Sequence, residues 1–487
     1  MTTQKARVVE ISPLTRVEGH GKVSIHLDEN QQVSEARLHI VEFRGFERFI
    51  QGRLLWEVPV IVQRLCGICP VSHHLAAAKA MDQIVGVDQL TPTAEKMRRL
   101  MHYGQILQSN VLHFFHLSSP DLLFGFSAPS EKRNIFEVIK EFPELAKKGI
   151  LMRKYGQEVI QATAGKKIHG TSAIPGGISK NLSLAERDHL LQDIEQMIQW
   201  SQEAVVLTRE YTENHLGLIK GFAHFKSNHM SLVNAAGGMD LYDGKLRAIN
   251  PEGDKIFDHM PVHQFDQFIQ EEVKPWSYMK FPFIRSLGQT DGWYRVGPLA
   301  RMNTVDFIDT PLANQEHQAF RQYFDHQPCQ MTLAYHWARM IEVLHCAEKI
   351  RELLNDTDLQ GSDLVLKGER REEGIAVIEA PRGSLFHHYK VNEQDQVTYC
   401  NLIVSTTHNN TAMNHAVTDV ARTYLNGQNE ITEAMLNHIE VAVRAYDPCL
   451  SCATHALGQM PLKVELYDAD NTLISSASQY VSQAADE

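Results

Sequence analysis

Apolar and polar residues alternate near both ends of the chain. Before residue 41 the alternating apolar positions are Val23, Ile25, Leu27, Ala36, Leu38 and Ile40. The polar segment 28–32 separates them into two groups, so the pattern predicts a β-hairpin. A second hairpin is expected at 462–474, where apolar and charged residues alternate on both sides of a polar turn. The polar end, 475–487, is expected to be mobile.

Helical spacing dominates the rest of the chain. The longest patterns, 183–218 and 332–354, are rich in helix-forming residues and contain no proline. Between them, 221–330 is rich in aromatic residues, Gly and Pro, and is expected to form irregular loops with short strands. These patterns predict a mainly α fold with small β elements (α+β), built as one unit around a long-helix bundle.

Shorter helices are expected at 72–81, 411–425 and 430–445. Ser72 is the expected N-cap of the first. Another helix is expected to start at Thr91 and Pro92, because a capping residue followed by a first-turn proline is typical of a helix N-terminus.

Charge and composition exclude several classes of function. The 487 residues contain 47 Lys and Arg against 59 Asp and Glu, which gives a net charge of −12. No basic block of the kind that binds nucleic acid is present. No apolar run reaches the ~20 residues of a membrane span, and residues 1–10 do not resemble a signal peptide. We therefore expect a cytoplasmic protein that binds neither nucleic acid nor membrane.

Four of the seven cysteines form two CxxC pairs near opposite ends of the chain, Cys66 with Cys69 and Cys449 with Cys452. A CxxC turn can present two thiolates to one metal ion, and Gly67 makes that turn easy to form. The pairs are about 380 residues apart. Closing so long a loop costs only ~3 kcal/mol more than closing a 15-residue loop. A thiolate metal site contributes roughly 10 to 16 kcal/mol, so the separation does not argue against a shared site.

Spacing alone leaves three interpretations open: a structural zinc site, two unrelated pairs of buried thiols, or a redox site. The surroundings favour the third. Arg64, His73 and Asp447 lie beside the CxxC pairs, and a site that moves electrons or protons uses such residues to support its ligands.

The motifs resemble those of the large, catalytic subunit of nickel–iron hydrogenases. They lie in order along the chain at 14–20 (LTRVEGH), 43–47 (FRGFE), 64–73 (RLCGICPVSH), 379–383 (EAPRG) and 447–455 (DPCLSCATH). The segments 281–283 (FPF) and 297–301 (GPLAR) are most similar to the cytoplasmic NAD-reducing group. The resemblance implies reversible heterolytic cleavage of H2, with the metal site where N- and C-terminal segments meet.

The resemblance also implies the ligands of the centre. All four CxxC cysteines would bind nickel. Cys69 and Cys452 would in addition bridge to an iron that carries one carbon monoxide and two cyanides, and Thr406 would hydrogen-bond a cyanide. Ser405 and His408 depart from the family pattern of Pro and Trp, which affects the detailed cyanide contacts.

Further roles follow from the same resemblance. Arg382 would lie over the open position, oriented by Asp121 and Asp447, while His73 would donate to a bridging thiolate. The first base would be a terminal thiolate, Cys449 or Cys66, or else Arg382, and Glu18 would relay the proton outward. These two assignments of the base stay open at this point.

A magnesium site is also implied, held by Glu47, the main-chain carbonyl of Leu402 and His455. Carboxylate and carbonyl oxygens suit magnesium, whereas imidazole suits it poorly.

Electron transfer requires partner subunits. An iron–sulfur cluster normally takes four cysteines, and only Cys329, Cys346 and Cys400 remain outside the CxxC pairs. The chain also has no G-x-G-x-x-G dinucleotide fingerprint. We therefore expect a small iron–sulfur subunit. The subgroup implies diaphorase subunits that carry flavin and bind NAD.

The resemblance finally implies a nickel-dependent maturation protease that cuts after His455. Residues 1–455 would then form the catalytic domain, and 456–487 a C-terminal propeptide. Two alternatives belong to other functional classes. One is a nickel-free subunit of the same fold with a coupling role in a quinone oxidoreductase, and the other is a scaffold stabilised by zinc on four cysteines.

Overall fold

The structure is a computed structural model that describes residues 7–43, 45–428 and 430–454, and the backbone of two strands beyond them. Long helices form its centre. The α-helices are Phe46–Ile50, Val58–Val62, Pro70–Ile84, Pro92–Leu112, Ser119–Phe124, Ile135–Glu141, Pro143–Ala164, Leu184–Leu191, Ile194–Asn214, Leu216–Lys220, Phe265–Phe268, Gly288–Asp291, Pro298–Thr304, Pro311–Tyr323, Tyr335–Leu354, Ser405–His408, Asn410–Leu425 and Glu433–Ala445. Short 3-10 turns occur at Gln63–Leu65, Val262–Gln264, Arg285–Leu287, Thr332–Ala334, Thr357–Gln360 and Ser451–Ala453, and a π-helical turn at His113–Ser118.

The strands form small separate sheets around these helices. The larger sheets are Arg7–Ile11, Gly21–Leu27 and Val33–Ile40; Tyr294–Arg295, Asn228–Val233, Lys245–Ile249 and Lys255–Met260; and Glu373–Ala380, Gly383–Val391 and Val397–Ile403, each given in spatial order. Two-stranded pairs join Ile269–Glu272 to Phe281–Ile284, Ala173–Ile174 to Gly177–Ile178, and Leu462–Tyr467 to Leu473–Gln479. Neighbouring strands are antiparallel except for the parallel pair of Tyr294–Arg295 with Asn228–Val233. The expected α+β class is confirmed.

The core is centred on helix Tyr335–Leu354, in which nearly every residue is buried. It packs against Pro92–Leu112 and Ile194–Asn214, and Pro92–Leu112 also packs along Pro143–Ala164. This arrangement confirms the expected bundle of long helices. None of the helices in the described part of the chain is long and apolar enough to cross a membrane.

Several sequence predictions of local structure are confirmed. Both hairpins form, and the first gains an additional strand, Arg7–Ile11. Thr91 caps the following helix, where its side chain accepts a hydrogen bond from the amide of Ala94 at 3.2 Å.

Other predictions were wrong. Segment 183–218 forms three helices instead of one, and the helix expected from Ser72 begins at Pro70, after Cys69. Segment 221–330 contains the expected short strands, four of which form one sheet, but it also contains the helices Pro298–Thr304 and Pro311–Tyr323, which were not expected. Of the segment 475–487, which was expected to be mobile, residues 475–479 belong to strand Leu473–Gln479, and 480–487 lie outside the described residues. The domain boundary expected at residue 455 lies outside the described residues.

Hydrogen bonds hold the two ends of the chain together. The Leu38 amide donates to Asn414 Oδ1 at 2.8 Å, and the Thr15 amide donates to Glu440 Oε1 at 2.8 Å. The amide of Leu450 donates to the carbonyl of Glu18 at 2.9 Å. The fold therefore brings the segment before the first CxxC pair against the segment that contains the second.

Candidate metal centre

The four cysteines of the CxxC pairs lie in one buried cluster, with their sulfur atoms all within 4.8 Å of one another. Cys66 follows the turn Gln63–Leu65, and Cys69 precedes helix Pro70–Ile84. The second pair follows helix Glu433–Ala445. The prediction that the two pairs meet is confirmed.

The distances between the two CxxC pairs fit a shared metal ion. The Sγ–Sγ distance is 3.4 Å from Cys66 to Cys449 and 3.7 Å from Cys69 to Cys452, and Cys449 and Cys452 lie 2.8 Å apart. Sulfurs bound to one ion at about 2.3 Å are roughly 3.3 to 4.6 Å apart. The first two distances lie within this range, and the distance between Cys449 and Cys452 is shorter. Soft thiolates suit nickel, iron or zinc, so geometry and donor type together indicate a metal site without selecting the metal.

Backbone amides shape both CxxC turns. Sγ of Cys66 accepts hydrogen bonds from the amides of Ile68 and Cys69, each at 3.2 Å. The amide of Cys449 donates to the Thr406 hydroxyl oxygen at 2.9 Å. Thr406 therefore contacts the backbone of a cluster cysteine, and its expected hydrogen bond to a cyanide stays a prediction.

The pKa values of the clustered thiols are shifted in different directions. Burial raises the pKa of Cys449 and of Cys452 well above the usual value. Burial also disfavours the Cys66 thiolate, but hydrogen bonds from the other thiols and the charge of Arg382 outweigh it, so the pKa of Cys66 is lowered. A bound cation would replace the remaining protons, because thiolates are the ligating form.

Arg382 lies at the turn between strands Glu373–Ala380 and Gly383–Val391, beside the cysteines. Its Nε donates to the carbonyl oxygen of Asp447, and its Nη2 donates to Asp447 Oδ1 at 3.0 Å. A third hydrogen bond runs from Nη1 to the hydroxyl of Ser109 at 3.3 Å. The guanidinium is thus held by two residues on two different segments.

The carboxylate of Asp121 binds residues other than Arg382, the partner that the resemblance implied for it. Its carboxylate accepts hydrogen bonds from Arg16 at 2.7 Å, from Asn437 at 3.2 Å and from Arg444. Burial disfavours this carboxylate, yet the two arginines lower its pKa below the usual value. Asp121 therefore joins helix Ser119–Phe124 to the N- and C-terminal segments. The hydrogen bond to Arg382 that we expected from Asp121 is made by Ser109 instead.

Glu18 lies directly against the second CxxC pair. The Cys449 thiol donates to Glu18 Oε2 at 3.0 Å, and the same oxygen accepts the amide of Ser451 at 3.1 Å. A parallel β-bridge between Glu18 and Cys449 fixes the two backbones beside each other. A carboxylate in contact with a ligand sulfur is well placed to receive a proton from it.

His73 lines the same cavity as Cys69, Arg382 and Cys452. Its Nδ1 pairs with Nε2 of His387 at 3.3 Å, and Nδ1 of His387 pairs with the hydroxyl of Tyr389 at 2.7 Å. Burial lowers the pKa of His73 to about 4, which favours the neutral ring. The expected donation to a bridging thiolate stays a prediction.

The proposed magnesium ligands meet only in part. Glu47 Oε1 accepts the amide of Leu402 at 2.9 Å, which brings these two residues together. Lys280 Nζ lies 4.0 Å from the same oxygen and 3.0 Å from Glu271. An ammonium group therefore lies beside Glu47, and the magnesium site stays a prediction. His455 lies outside the described residues.

Sequence reasoning missed Ser109, His387, Tyr389 and Ser451. Ser109 lies inside helix Pro92–Leu112, where a serine carries no signal of its own. The doublet that contains His387 resembles a ligand pair but has no motif around it. Residues 387 and 389 lie on one face of strand Gly383–Val391, but this strand is buried almost throughout and shows no alternating pattern in the sequence that could have identified them.

Comparison with known proteins gives a consistent result. The family model described as nickel-dependent hydrogenase matches residues 44–134 and 252–455, more than half of the chain, and a HoxL-like model matches 8–43. The NAD-reducing hydrogenase HoxS subunit beta of Cupriavidus necator is 48% identical over 483 residues, covering 96% of this chain and 99% of that relative. An F420-non-reducing hydrogenase chain of Methanothermobacter marburgensis is 41% identical, covering 95% and 98%.

Solved structures agree with these relatives. A crystal structure of an NAD+-reducing [NiFe]-hydrogenase in the H2-reduced state is 57% identical, with a TM-score of 0.91, and the match covers 93% of this chain and 100% of that one. A [NiFeSe] hydrogenase from Desulfovibrio vulgaris Hildenborough is 22% identical with a TM-score of 0.74, covers 92% and 100%, and shows the shared fold alone.

Proposed function

The chain belongs to the nickel-dependent hydrogenase family, and from this we propose that it is the H2-splitting subunit of an assembly that reduces NAD+. The observation that carries the proposal is the buried cluster of Cys66, Cys69, Cys449 and Cys452 with Arg382 beside it. The relatives that match over nearly the whole chain are hydrogenases, so neither a nickel-free coupling subunit nor a zinc scaffold is favoured.

The donor set fits a nickel–iron centre. All four thiolates would hold nickel, with Cys69 and Cys452 shared with the iron, and Thr406 would lie beside the iron's diatomic ligands. When bound, this centre supplies the redox-active Lewis acid at which H2 is polarised. The surrounding side chains are buried, so water is excluded from the reacting region.

The chain's own residues manage charge and protons. Nε and Nη2 of Arg382 are both engaged as donors to Asp447, so Arg382 acts as a fixed positive charge over the cavity. The Cys449 thiol already donates to Glu18, which supports Cys449 as the first base and Glu18 as its proton acceptor. His73, held by His387, would support the shared thiolates through its remaining ring nitrogen.

Partners complete the reaction. We propose a small iron–sulfur subunit that takes the electrons and diaphorase subunits with flavin that pass them to NAD+. The name of the C. necator relative, an NAD-reducing hydrogenase, supports NAD+ as the acceptor. Reduction of NAD+ fits the cytoplasmic location expected from the sequence. Cleavage after His455 by a nickel-dependent protease, and magnesium near Glu47, remain part of the proposal.

The test uses the chain purified together with its partner subunits. Elemental analysis should find nickel and iron, infrared spectra under H2 should show bands from carbon monoxide and cyanide, and H2 should drive NAD+ reduction. A single zinc ion per chain, without diatomic ligand bands, would contradict the metal assignment. Metal-loaded protein that splits H2 but does not reduce NAD+ would contradict only the electron acceptor.

A further inference from the structure

The backbone that leads into Arg382 accepts hydrogen bonds from a second arginine, Arg301, whose side chain is fully buried. Arg301 lies in helix Pro298–Thr304, at the end of the GPLAR segment. Its Nη1 donates to the carbonyl oxygen of Ala380 at 3.2 Å, and its Nη2 donates to that of Pro381 at 3.5 Å. Since these two carbonyls immediately precede Arg382, one guanidinium contacts the backbone that carries the other.

Two buried carboxylates fix the guanidinium of Arg301. Glu342, in helix Tyr335–Leu354, accepts hydrogen bonds from Nε and, at 2.8 Å, from Nη2. Glu379 accepts a hydrogen bond from Nη1. All three side chains are fully buried. Each guanidinium nitrogen of Arg301 therefore has a partner, and its planar geometry sets the orientation of the whole group.

Glu379 connects Arg301 to both strands of the turn. It is paired with Ser384 across the antiparallel strands, and its Oε1 accepts the Ser384 hydroxyl at 2.7 Å. The same oxygen accepts the amide of Leu232 at 3.0 Å. The turn 380–383 is thus closed at its base by a side-chain contact that includes a partner of Arg301.

Glu342 extends the same network toward Ser109, the other side chain that holds Arg382. Its Oε2 accepts a hydrogen bond from Asn110 Nδ2 at 3.4 Å. Asn110 follows Ser109 in helix Pro92–Leu112, and the Ser109 hydroxyl accepts a hydrogen bond from Arg382 at 3.3 Å. The network therefore contacts both the turn that carries Arg382 and the helix that contributes one of its partners.

We propose that Arg301 is a positioning residue for Arg382 in H2 splitting. A fixed charge beside a reacting centre is effective only in the correct place, and a displacement of about 1 Å can remove much of its effect. Arg301 acts through the backbone of the turn, which it holds between two buried carboxylates. This inference rests on the proposed function and assigns a role to a residue outside the cysteine cluster.

The test is a double-mutant cycle of Arg301→Lys with Arg382→Lys, measured on the metal-loaded complex with its partner subunits. Lysine keeps the buried charge but cannot contact two carboxylates and two carbonyls in the same fixed geometry. Arg301→Lys should lower the kcat of H2 oxidation ~10-fold and leave the nickel and iron contents unchanged. In the Arg382→Lys background it should change kcat less than ~2-fold, because the group through which it acts is already altered.

Arg98→Lys is the matched control. Arg98 is also fully buried, and it donates to both carboxylate oxygens of Asp82, at 2.6 and 3.0 Å. It also donates to the carbonyl oxygens of Ile174 and Gly177, on either side of another tight turn. This variant should lose stability as Arg301→Lys does but keep the wild-type kcat.

Hydrogen exchange gives a readout that does not depend on activity. The amides of 379–384 should exchange ~10-fold faster in Arg301→Lys and at the wild-type rate in Arg98→Lys. If Arg301→Lys does not fold, Ser384→Ala replaces it in the cycle, because it loosens the base of the turn and leaves both carboxylates paired with Arg301. Ser384→Ala should lower kcat ~3-fold, and this loss should also disappear in the Arg382→Lys background.

Three results would overturn the inference. Losses of kcat that multiply in the double variant would show that Arg301 and Arg382 act independently. An unchanged kcat in Arg301→Lys would show that the turn does not depend on it, and equal losses in Arg301→Lys and Arg98→Lys would indicate general destabilisation. A wild-type complex that does not oxidise H2 would instead refute the proposed function, and hydrogen exchange would still decide whether Arg301 holds the turn.

Discussion

Cys452 occupies the most enclosed position of the four sulfurs. It lies 2.8 Å from Cys449 and 3.7 Å from Cys69, and its side chain is fully buried. We expect Cys452→Ala to abolish nickel retention and H2 oxidation, since three thiolates cannot complete the site. Elemental analysis of the purified complex checks this expectation.

Cys329→Ala provides the matched control for that change. Cys329 is also a buried free thiol, but it does not belong to the metal cluster. The control should keep its nickel and its activity, at a stability cost of about 1 kcal/mol for the lost sulfur atom. Nickel retained at the wild-type level in Cys452→Ala would show that the assigned ligand set is incorrect.

Substitution of Arg382 tests whether turnover depends on the positive charge beside the cavity or also on the directed hydrogen bonds of the guanidinium. Lysine keeps the positive charge but cannot make three directed hydrogen bonds to Asp447 and Ser109. We expect Arg382→Lys to retain both metals and to lower turnover ~100-fold. Metal analysis combined with H2-oxidation kinetics measures both effects, and near-normal turnover would show that charge alone suffices.

Ser109→Ala separates the two partners of Arg382. It removes the hydrogen bond at 3.3 Å and leaves both contacts with Asp447 in place. A neutral hydrogen bond of this kind contributes about 1 kcal/mol, so we expect a reduction in turnover of ~5-fold. A loss as large as that of Arg382→Lys would mean that Ser109 is as important to the guanidinium as Asp447.

At the scale of elements, the turn that carries Arg382 depends on close packing. Gly383 has φ +132°, and a Cβ atom there would lie 2.2 Å from Val296 Cγ2. Gly52 also has a positive φ, +83°, but a Cβ atom would meet nothing within 4 Å. Alanine substitutions at these two positions can therefore separate the cost of backbone strain from the cost of overpacking.

We expect Gly383→Ala to destabilise the fold by about 2 kcal/mol or more, because backbone strain and overpacking add. Gly52→Ala should cost about 1 kcal/mol from strain alone. Thermal unfolding midpoints of the two variants check the order. Equal midpoints would show that Val296 moves aside at little cost.

Sequence patterns predict helices better than sheets in this molecule. Helix Pro92–Leu112 was predicted from its start because Thr91 and Pro92 are a local signal. The sheet Glu373–Ile403 was not predicted, although it carries Arg382. Strands Glu373–Ala380 and Gly383–Val391 are buried along almost their whole length, so neither shows the alternation of a half-exposed strand.

Some residues of the site could likewise be predicted from the sequence, and others could not. Both CxxC pairs are visible in the sequence because their spacing is itself the signal. Asp447 was expected as a partner of Arg382, whereas Ser109 was not. Asp121 and Ser109 lie close to each other in the chain, and only packing decides which of them reaches Arg382. Ser451 likewise acquires its contact with Glu42 from the fold alone.

At the scale of the whole molecule, the metal is one of several connections between the chain ends. Glu440 accepts two hydrogen bonds from Thr15, each at 2.8 Å, and Asn414 accepts the Leu38 amide. These contacts involve none of the four cysteines. The fold of the metal-free chain should therefore persist, and loss of metal should loosen only the segment that holds the second CxxC pair.

Hydrogen exchange in chains from nickel-depleted and nickel-supplied cells tests this expectation. We expect the amides of Cys449, Leu450 and Ser451 to exchange ~10-fold faster or more without metal, since their acceptors Thr406 and Glu18 are then no longer held against bound ligands. Amides of the buried helix Tyr335–Leu354 should exchange equally in both samples. Faster exchange in that helix as well would mean that the metal holds the whole fold together, because opening would then be global instead of local.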